Sequence, residues 1–197
     1  ITVNKSLGIN SLEDLIKRAK AEPGILNFSS PGVGALQQMG ANALSAETGI
    51  DIFHVPYKGG KAATTGVLSN EVEIGFLGMP PAISLIASGD LVALSVSSQE
   101  RSPILPDVPT LNESAVPGYV AEAWYGLFMP KGTPQDIVDT VNAAANAALG
   151  NPVVSERFAN KGAVVQTSTP QEFADFVGSE SARWKEKLEG LGLAGTR

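Results

Sequence analysis

Two serines, a proline and two glycines crowd into "NFSSPGVGALQQMG", residues 27–40, between an apolar run and a helical pattern. Residues of these types, so spaced, hold anions. Glycines let a ligand reach the backbone, and a helix start presents unpaired N–H groups with the positive end of the helix dipole. Gly32 and Gly34 open the backbone here, and Ser29 and Ser30 stand ready to add hydroxyl donors. A dinucleotide fingerprint fails twice: Gln37 occupies the third glycine position, and Asp51 falls at the start of the next strand instead of its end. A Walker loop fails as well, because no Gly-Lys-Ser/Thr follows. A general anion cradle survives, beside the plainer alternative of a tight strand-to-helix turn with Ser30 as its cap.

Other candidate chemistry is thin. The only histidine, His54, falls at the end of a predicted strand, and no G-x-S-x-G elbow offers it a nucleophile. A lone histidine near a turn is more often structural than catalytic. The acidic residues lack ligand spacing, so neither a metal site nor a catalytic pair is selected, and no cofactor is expected. In "HVPYKGG", Tyr57 offers a hydroxyl and Lys58 a cation to an anion, or else the stretch is a rigid turn with its tyrosine packed inward. Trp124 and Tyr125 in "AWYGLFMPKGTP" suit either a cleft wall or a core.

The elements that must position these residues follow from periodicity. A helix is predicted from Ser11, with Leu12, Leu15, Ile16 and Ala19 on one face, ended by Pro23 and Gly24. Next come a strand at "ILNFSS", a helix from about Ala35, strands at "DIFHV" and "VEIGFLG" around a short helix, a Pro-led helix at "PPAISLIASG", and a strand at "LVALSVSS". Strands alternating with helices at this spacing predict an α/β layer with parallel strands. Prolines at 103, 106, 109 and 117 then forbid long regular elements, marking an inter-domain segment. Beyond it the reading is an extended passage, a helix from Thr133 or Pro134 to about Leu149, and a second helix after Pro152. A strand at "AVVQT" and a final helix from Pro170 complete it, the last burying Phe173, Phe176, Val177, Trp184, Leu188 and Leu191.

The bulk numbers exclude several classes. The 197-residue chain is 43% hydrophobic and 17% charged, with net charge −6 and no cysteine. That composition is ordinary for a folded domain. It removes disulfides and thiolate chemistry, and an acidic chain without a basic block argues against nucleic acid and anionic membrane surfaces. No apolar run approaches a membrane span. The opening "ITVNKS", without Met, is read as a processed, truncated or subcloned start.

Taken in order, "LNFSSPGVGALQQMG", "DIFHVPYKGG", "GDLVALSVSSQERSPILPDVPTLNESAVPGY", "AWYGLFMPKGTP" and "STPQEFADFVGSESARWKEKL" resemble the solute-binding proteins of tripartite tricarboxylate transporters, the Bug family, over essentially all 197 residues. The resemblance implies an α/β, two-domain periplasmic-binding-protein (Venus-flytrap) fold. It further implies a small carboxylate held in an interdomain cleft, periplasmic localisation, and delivery to membrane permease subunits with no chemistry on the ligand. It also implies that the N-terminal part of domain one, with the export signal and a Gly-rich loop, is missing from this chain. Residues 1–122 are then domain two and 123–197 the C-terminal part of domain one, with hinge crossings near residues 1–4 and 122–126. Carried over residue by residue, the carboxylate loop maps to Ser29, Ser30, Gly32, Val33 and Gly34, and Tyr57, Lys58, Phe76 and Trp124 complete the ligand-binding set. Two departures stand out. Gln38 occupies a position where the family often has histidine, and Leu77-Gly78 follow Phe76 where an Asp and a polar neighbour are common, which favours a simple or more apolar carboxylate. The rival readings are a small α/β enzyme using the 29–34 loop as an oxyanion or phosphate site, dependent on His54 or Lys58, and a sensor that signals through a partner protein.

Overall fold

Helix α1 (Leu12–Ala21) begins where Ser11 Oγ accepts from the Asp14 N–H at 3.0 Å and presses Leu12, Leu15 and Ala19 into the core. The computed structural model describes residues 1–190, and five strands, eight α-helices and one 3-10 turn are found there. The chain divides into two compact units, Ile1–Tyr125 with Asn160–Ala163, and Gly126–Ala159 with the segment from Val164 on.

The first unit is built on a five-stranded sheet. Its strands β1 (Thr2–Asn4), β2 (Asn27–Ser30), β3 (Phe53–Pro56), β4 (Ile74–Gly75) and β5 (Leu91–Ala93) lie in the order β3-β2-β4-β1-β5. β2 runs parallel to both β3 and β4, as alternation with helices predicts. β1, however, is antiparallel to β4 and to β5. A three-residue strand carries no mark of its direction, and no crossover helix joins β1 to either neighbour, so the expectation of parallel strands holds only where a helix returns the chain.

Successive residues of β2 face opposite sides of the sheet, and each side has its own cover. Phe28 joins Leu15, Leu44, Ile74 and Phe76 in one core, beneath α1 and α2 (Leu36–Thr48). On the other side Ser29 Oγ donates to the Ala63 carbonyl at 3.1 Å, tying β2 to α3 (Gly60–Leu68). Val67, Val72 and Leu91 form the second core there, with Leu85 and Ile86 of α4 (Met79–Ala87) packed on it.

The proline-rich passage after Ser98 holds one short helix, α5 (Leu111–Ser114). It forms because Thr110 and Glu113 make a reciprocal capping box: Glu113 N–H donates to Thr110 Oγ1 at 3.0 Å, and Thr110 N–H to Glu113 Oε2 at 2.7 Å. Thr110 is buried and also bridges to Val96. Thr110→Ala is therefore expected to cost about 1 kcal/mol of stability, read as a lowered midpoint in urea unfolding with an unchanged slope.

The second unit consists of α6 (Gln135–Leu149), α7 (Pro152–Ala159) and α8 (Pro170–Gly190). Two expectations fail here. Residues 163–167 pair with no strand among the described residues, and Val164 is 91% exposed, because a strand needs a ladder partner and none lies alongside. The stripe expected to be buried on α8 is only half covered. Phe173, Val177 and Trp184 are half-buried and Phe176 is exposed, while Leu188's side chain and Leu191 lie outside the described residues. Phe173 packs against Gly126 and, at 5.3 Å between centroids, Phe128, but no described residue of this unit is buried. An amphipathic stripe is buried only by a surface that faces it.

Candidate functional site

The three parallel strands end together, and their helices leave in different directions. α2, which follows β2, covers the Phe28 side of the sheet, whereas α4, which follows β4, belongs to the opposite side with α3. β2 and β4 are adjacent and parallel, so a crevice opens outside their carboxyl ends, at the kind of switch point where open α/β sheets take ligands. Backbone bonds fasten the loops around it: Tyr57 N–H donates to Ser30 O at 3.0 Å, Gly59 N–H to Pro31 O at 2.9 Å, and Phe76 N–H to Ser29 O at 3.0 Å. Loop 31–35 supplies one wall of the crevice and Leu77-Gly78 another. A methyl group added at Gly78 would lie 3.9 Å from Gln37 Nε2.

Helix capping in this unit divides by place. The short 3-10 turn Lys5–Leu7, α1 and α5 are each capped by a side chain, from Asn4, Ser11 and Thr110. The helices that start at the ends of β2, β3 and β4 are not: Ala35, Gly59 and Gly78 occupy their N-cap positions, without a side-chain bond. Among the described residues the N–H groups of Val33, Leu36 and Gln37 have no protein acceptor. Gly34 N–H is met by Gln38 Oε1 at 2.7 Å, and Ala35 N–H by Gly32 O at 3.3 Å. Gly34 is at φ +78°, the left-handed region that turns its N–H toward the helix start. A cluster of donors at a helix N-terminus, left without side-chain acceptors, stabilises an anion through both charge-assisted bonds and the dipole.

Each residue expected at the site has a definite place. Ser29 and Ser30 are both fully buried, and their hydroxyls are engaged internally, so the donors facing the crevice are backbone groups. That corrects the expected hydroxyl contribution. The cause is parity: Ser29 faces α3, and Ser30 faces the side carrying Phe28 and His54. Val33 is 78% exposed at the loop tip. Tyr57, like Ser29 and Val55, faces α3, and its hydroxyl rests against Gly66, two turns along that helix, where only a residue without Cβ leaves room. Burial, and then the nearby Glu71, push the Tyr57 phenol above its ordinary pKa. Its role in this unit is therefore packing. Lys58 is exposed and, with Lys61, Thr65 and Glu71, lines an open depression of about 520 Å³ along α3 that includes none of residues 29–34. Phe76 is 4% exposed, with its ring edge-on to Phe28 at 5.3 Å, and forms the floor under the loop. Trp124 is 38% exposed in the irregular passage after Ala121.

Sequence reasoning missed one pairing. His54 Nε2 lies 2.7 Å from Ser30 Oγ, and the imidazole stacks on Phe28 at 4.8 Å between centroids and 20° between planes. Parallel register sets Phe28 beside His54, which puts residues 28, 30 and 54 on one face, and that alternation was the available signal. Burial holds the imidazole below the ordinary histidine pKa. The folded state therefore resists protonation, and the stability this group lends above pH 6.5 is lost as pH falls through its folded pKa. The pair has the make-up of a nucleophile and its base, but Ser30 has no exposed surface from which to attack a substrate. Among the described residues no group of His, Asp or Glu could hold a metal ion, and no helix is long and apolar enough to cross a membrane.

An α/β sheet with uncapped helix starts converging on a switch-point crevice is the architecture of a protein that binds a small anionic ligand. Comparison with known proteins bears this out. The sequence profile of the tripartite tricarboxylate transporter family receptors matches residues 1–193, and the chain belongs to that family, whose members are solute-binding transport proteins and not enzymes. Protein BugT of Bordetella pertussis is 34% identical over 93% of this chain and 56% of its own length. An R. palustris protein solved with adipate superposes with TM-score 0.91 at 30% identity, over 97% of this chain and 64% of that one. MatC of Rhodopseudomonas palustris, solved with bound malate, superposes with TM-score 0.81 at 28% identity, over 94% of this chain and 64% of that one. The chain thus spans little more than half the length of curated relatives such as BugT.

Proposed function

We propose that this protein captures a small carboxylate at loop 31–35 and delivers it, from the periplasm, to the membrane permease of a tripartite tricarboxylate transporter. The observation that carries the reading is the start of α2, where Val33, Leu36 and Gln37 present unpaired N–H groups at a switch-point crevice. Family membership supports it, as do the solved relatives that hold adipate and malate. Gly32 and Gly34 let the carboxylate reach the backbone, Val33 covers it, and Ser29 and Ser30 act from beneath by holding the loop. Lys58 adds a cation at the rim, Phe76 supports the floor, and Trp124 lends an apolar wall. Residues 1–122 act as one lobe and 123–197 as part of a second; the open apolar side chains of the second unit, Leu127, Phe128 and Val164 among them, favour that division.

Leu77-Gly78 offer no charged group opposite the loop, which favours a ligand whose recognition rests on its carboxylates and not on an amino group. Thermal unfolding of the protein with malate, adipate, citrate and benzoate tests the reading. A ligand present at about 100 times its dissociation constant stabilises by roughly 2.7 kcal/mol, a rise of several degrees in Tm. No rise with any of these acids at millimolar concentration would remove the carboxylate assignment, and a rise with inorganic phosphate alone would replace it.

A further inference from the structure

The Ser30 hydroxyl has more neighbours than one hydrogen can serve. It accepts from Gly32 N–H at 3.2 Å, lies 3.0 Å from Gly32 O, and lies 2.7 Å from His54 Nε2. A hydroxyl donates once. Two arrangements follow. With the imidazole neutral and its proton on Nδ1, Ser30 donates to Nε2 and Gly32 O keeps only the N–H of Ala35. With a proton on Nε2, His54 donates to Ser30, and Ser30 passes its own hydrogen to Gly32 O. Only the second arrangement is available to the imidazolium. It ties both the N–H and the carbonyl of Gly32 to one side chain, two residues ahead of Gly34.

We propose that His54 is a positioning residue for the anion loop: taking up a proton, it drives the Ser30 hydroxyl onto the Gly32 carbonyl, fastening loop 30–34 and setting a positive charge beneath the anion. This rests on the loop being the anion site, as proposed above, but the coupling between imidazole and loop is a property of the unliganded protein. Burial holds His54 below its ordinary pKa, so the proton arrives below pH 6.5. An anion above the loop favours the charged imidazole and raises that pKa. Reciprocity then requires the anion to bind more tightly as pH falls through the window between the liganded and unliganded values.

Other charges around His54 do not supply the effect. β2 contributes no titratable group, and α2 contributes Glu47. Asp51 and Lys58 flank β3, and the charged side chains of α1 all lie on its exposed side. Glu73, ahead of β4, is engaged by Asn27 through its N–H at 2.8 Å and its amide at 3.1 Å. Tyr119 lies near α2, where a methyl group at Gly40 would come 3.5 Å from its hydroxyl. Among the described residues none of these Asp or Glu side chains forms an ion pair with the imidazole, and burial is the cause of its lowered pKa.

The chain has a single histidine, so one imidazole resonance reports directly. NMR of the unliganded protein between pH 8 and 5 is expected to show the Gly32 and Gly34 amides shifting with the midpoint of His54, and to lose that coupling in Ser30→Ala. If those amides do not follow His54 in the native sequence, the proposal is overturned, whatever the anions do and whether or not the variant folds. Malate and adipate are the probes for the second arm. Each is expected to raise the His54 pKa and to bind several-fold more tightly at pH 5.5 than at pH 8, the ratio rising as pH falls through the unliganded value. Binding that leaves the His54 titration unmoved overturns the link to the anion. If neither acid binds, the carboxylate reading fails by itself, and the coupling is judged on the unliganded amides alone.

Discussion

Gly34→Pro is expected to abolish carboxylate binding while the protein remains folded. Gly34 lies at φ +78° between Val33 and the start of α2, and its own N–H is held by Gln38 Oε1 at 2.7 Å, so it sets the course of the backbone that carries the free donors of Val33, Leu36 and Gln37. Proline fixes φ near −65° and has no N–H, so the loop must take another course and the bond to Gln38 is lost. A hydrogen bond to a charged group contributes about 1.5–3 kcal/mol. Misdirecting two of the N–H groups of Val33, Leu36 and Gln37 brings the expected loss to roughly 100-fold or more in affinity. Gly34→Ala separates the two effects. No atom lies within 4 Å of an added Cβ, so the change tests backbone conformation alone. It should weaken binding far less, with a stability cost of about 1–2 kcal/mol for the left-handed alanine. Calorimetric titration with malate and adipate, alongside circular dichroism, reads both variants. Native-like affinity in Gly34→Pro would move the anion site away from this loop.

Phe28→Ala is expected to produce the largest loss of stability in the first unit, about 3–5 kcal/mol. The ring is 2% exposed, with the imidazole of His54 stacked on it and the edge of Phe76 against it. Its removal opens a cavity under the loop and rehydrates His54. The unfolding midpoint in urea should fall sharply, and the His54 pKa should return toward its ordinary value, because burial is what lowers it. Phe28→Leu, which keeps most of the volume, should cost much less. A Phe28→Ala protein with native stability and an unchanged His54 titration would mean that the ring neither supports the core nor shields the imidazole.

Much of the first unit was legible before folding. Ser11 with its apolar stripe announced α1, and the glycines after "NFSS" announced a strand-to-helix turn with free N–H groups, because both depend on residues close in sequence. Less legible was the part each side chain plays at the site. Ser29, Ser30 and Tyr57 carry donors suited to an anion, yet the parity of β2 and β3 turns all three into the body of the protein. The direction of β1 and the missing ladder at residues 163–167 escaped for a related reason: strand pairing depends on what lies alongside, and a short apolar segment does not name its neighbour.

What the sequence determined by itself was therefore local and chemical: the helix starts, the glycine-opened loop, the lack of cysteine, and, through the order of its motifs, a family. What tertiary structure decided was which groups meet. Sheet order β3-β2-β4 makes the crevice, by sending α2 and α4 to opposite faces from adjacent strands. Parallel register brings His54, 24 residues away, to 2.7 Å from Ser30. Composition and periodicity hold no record of such meetings, because they are set by which strand edges pair once the whole core has closed.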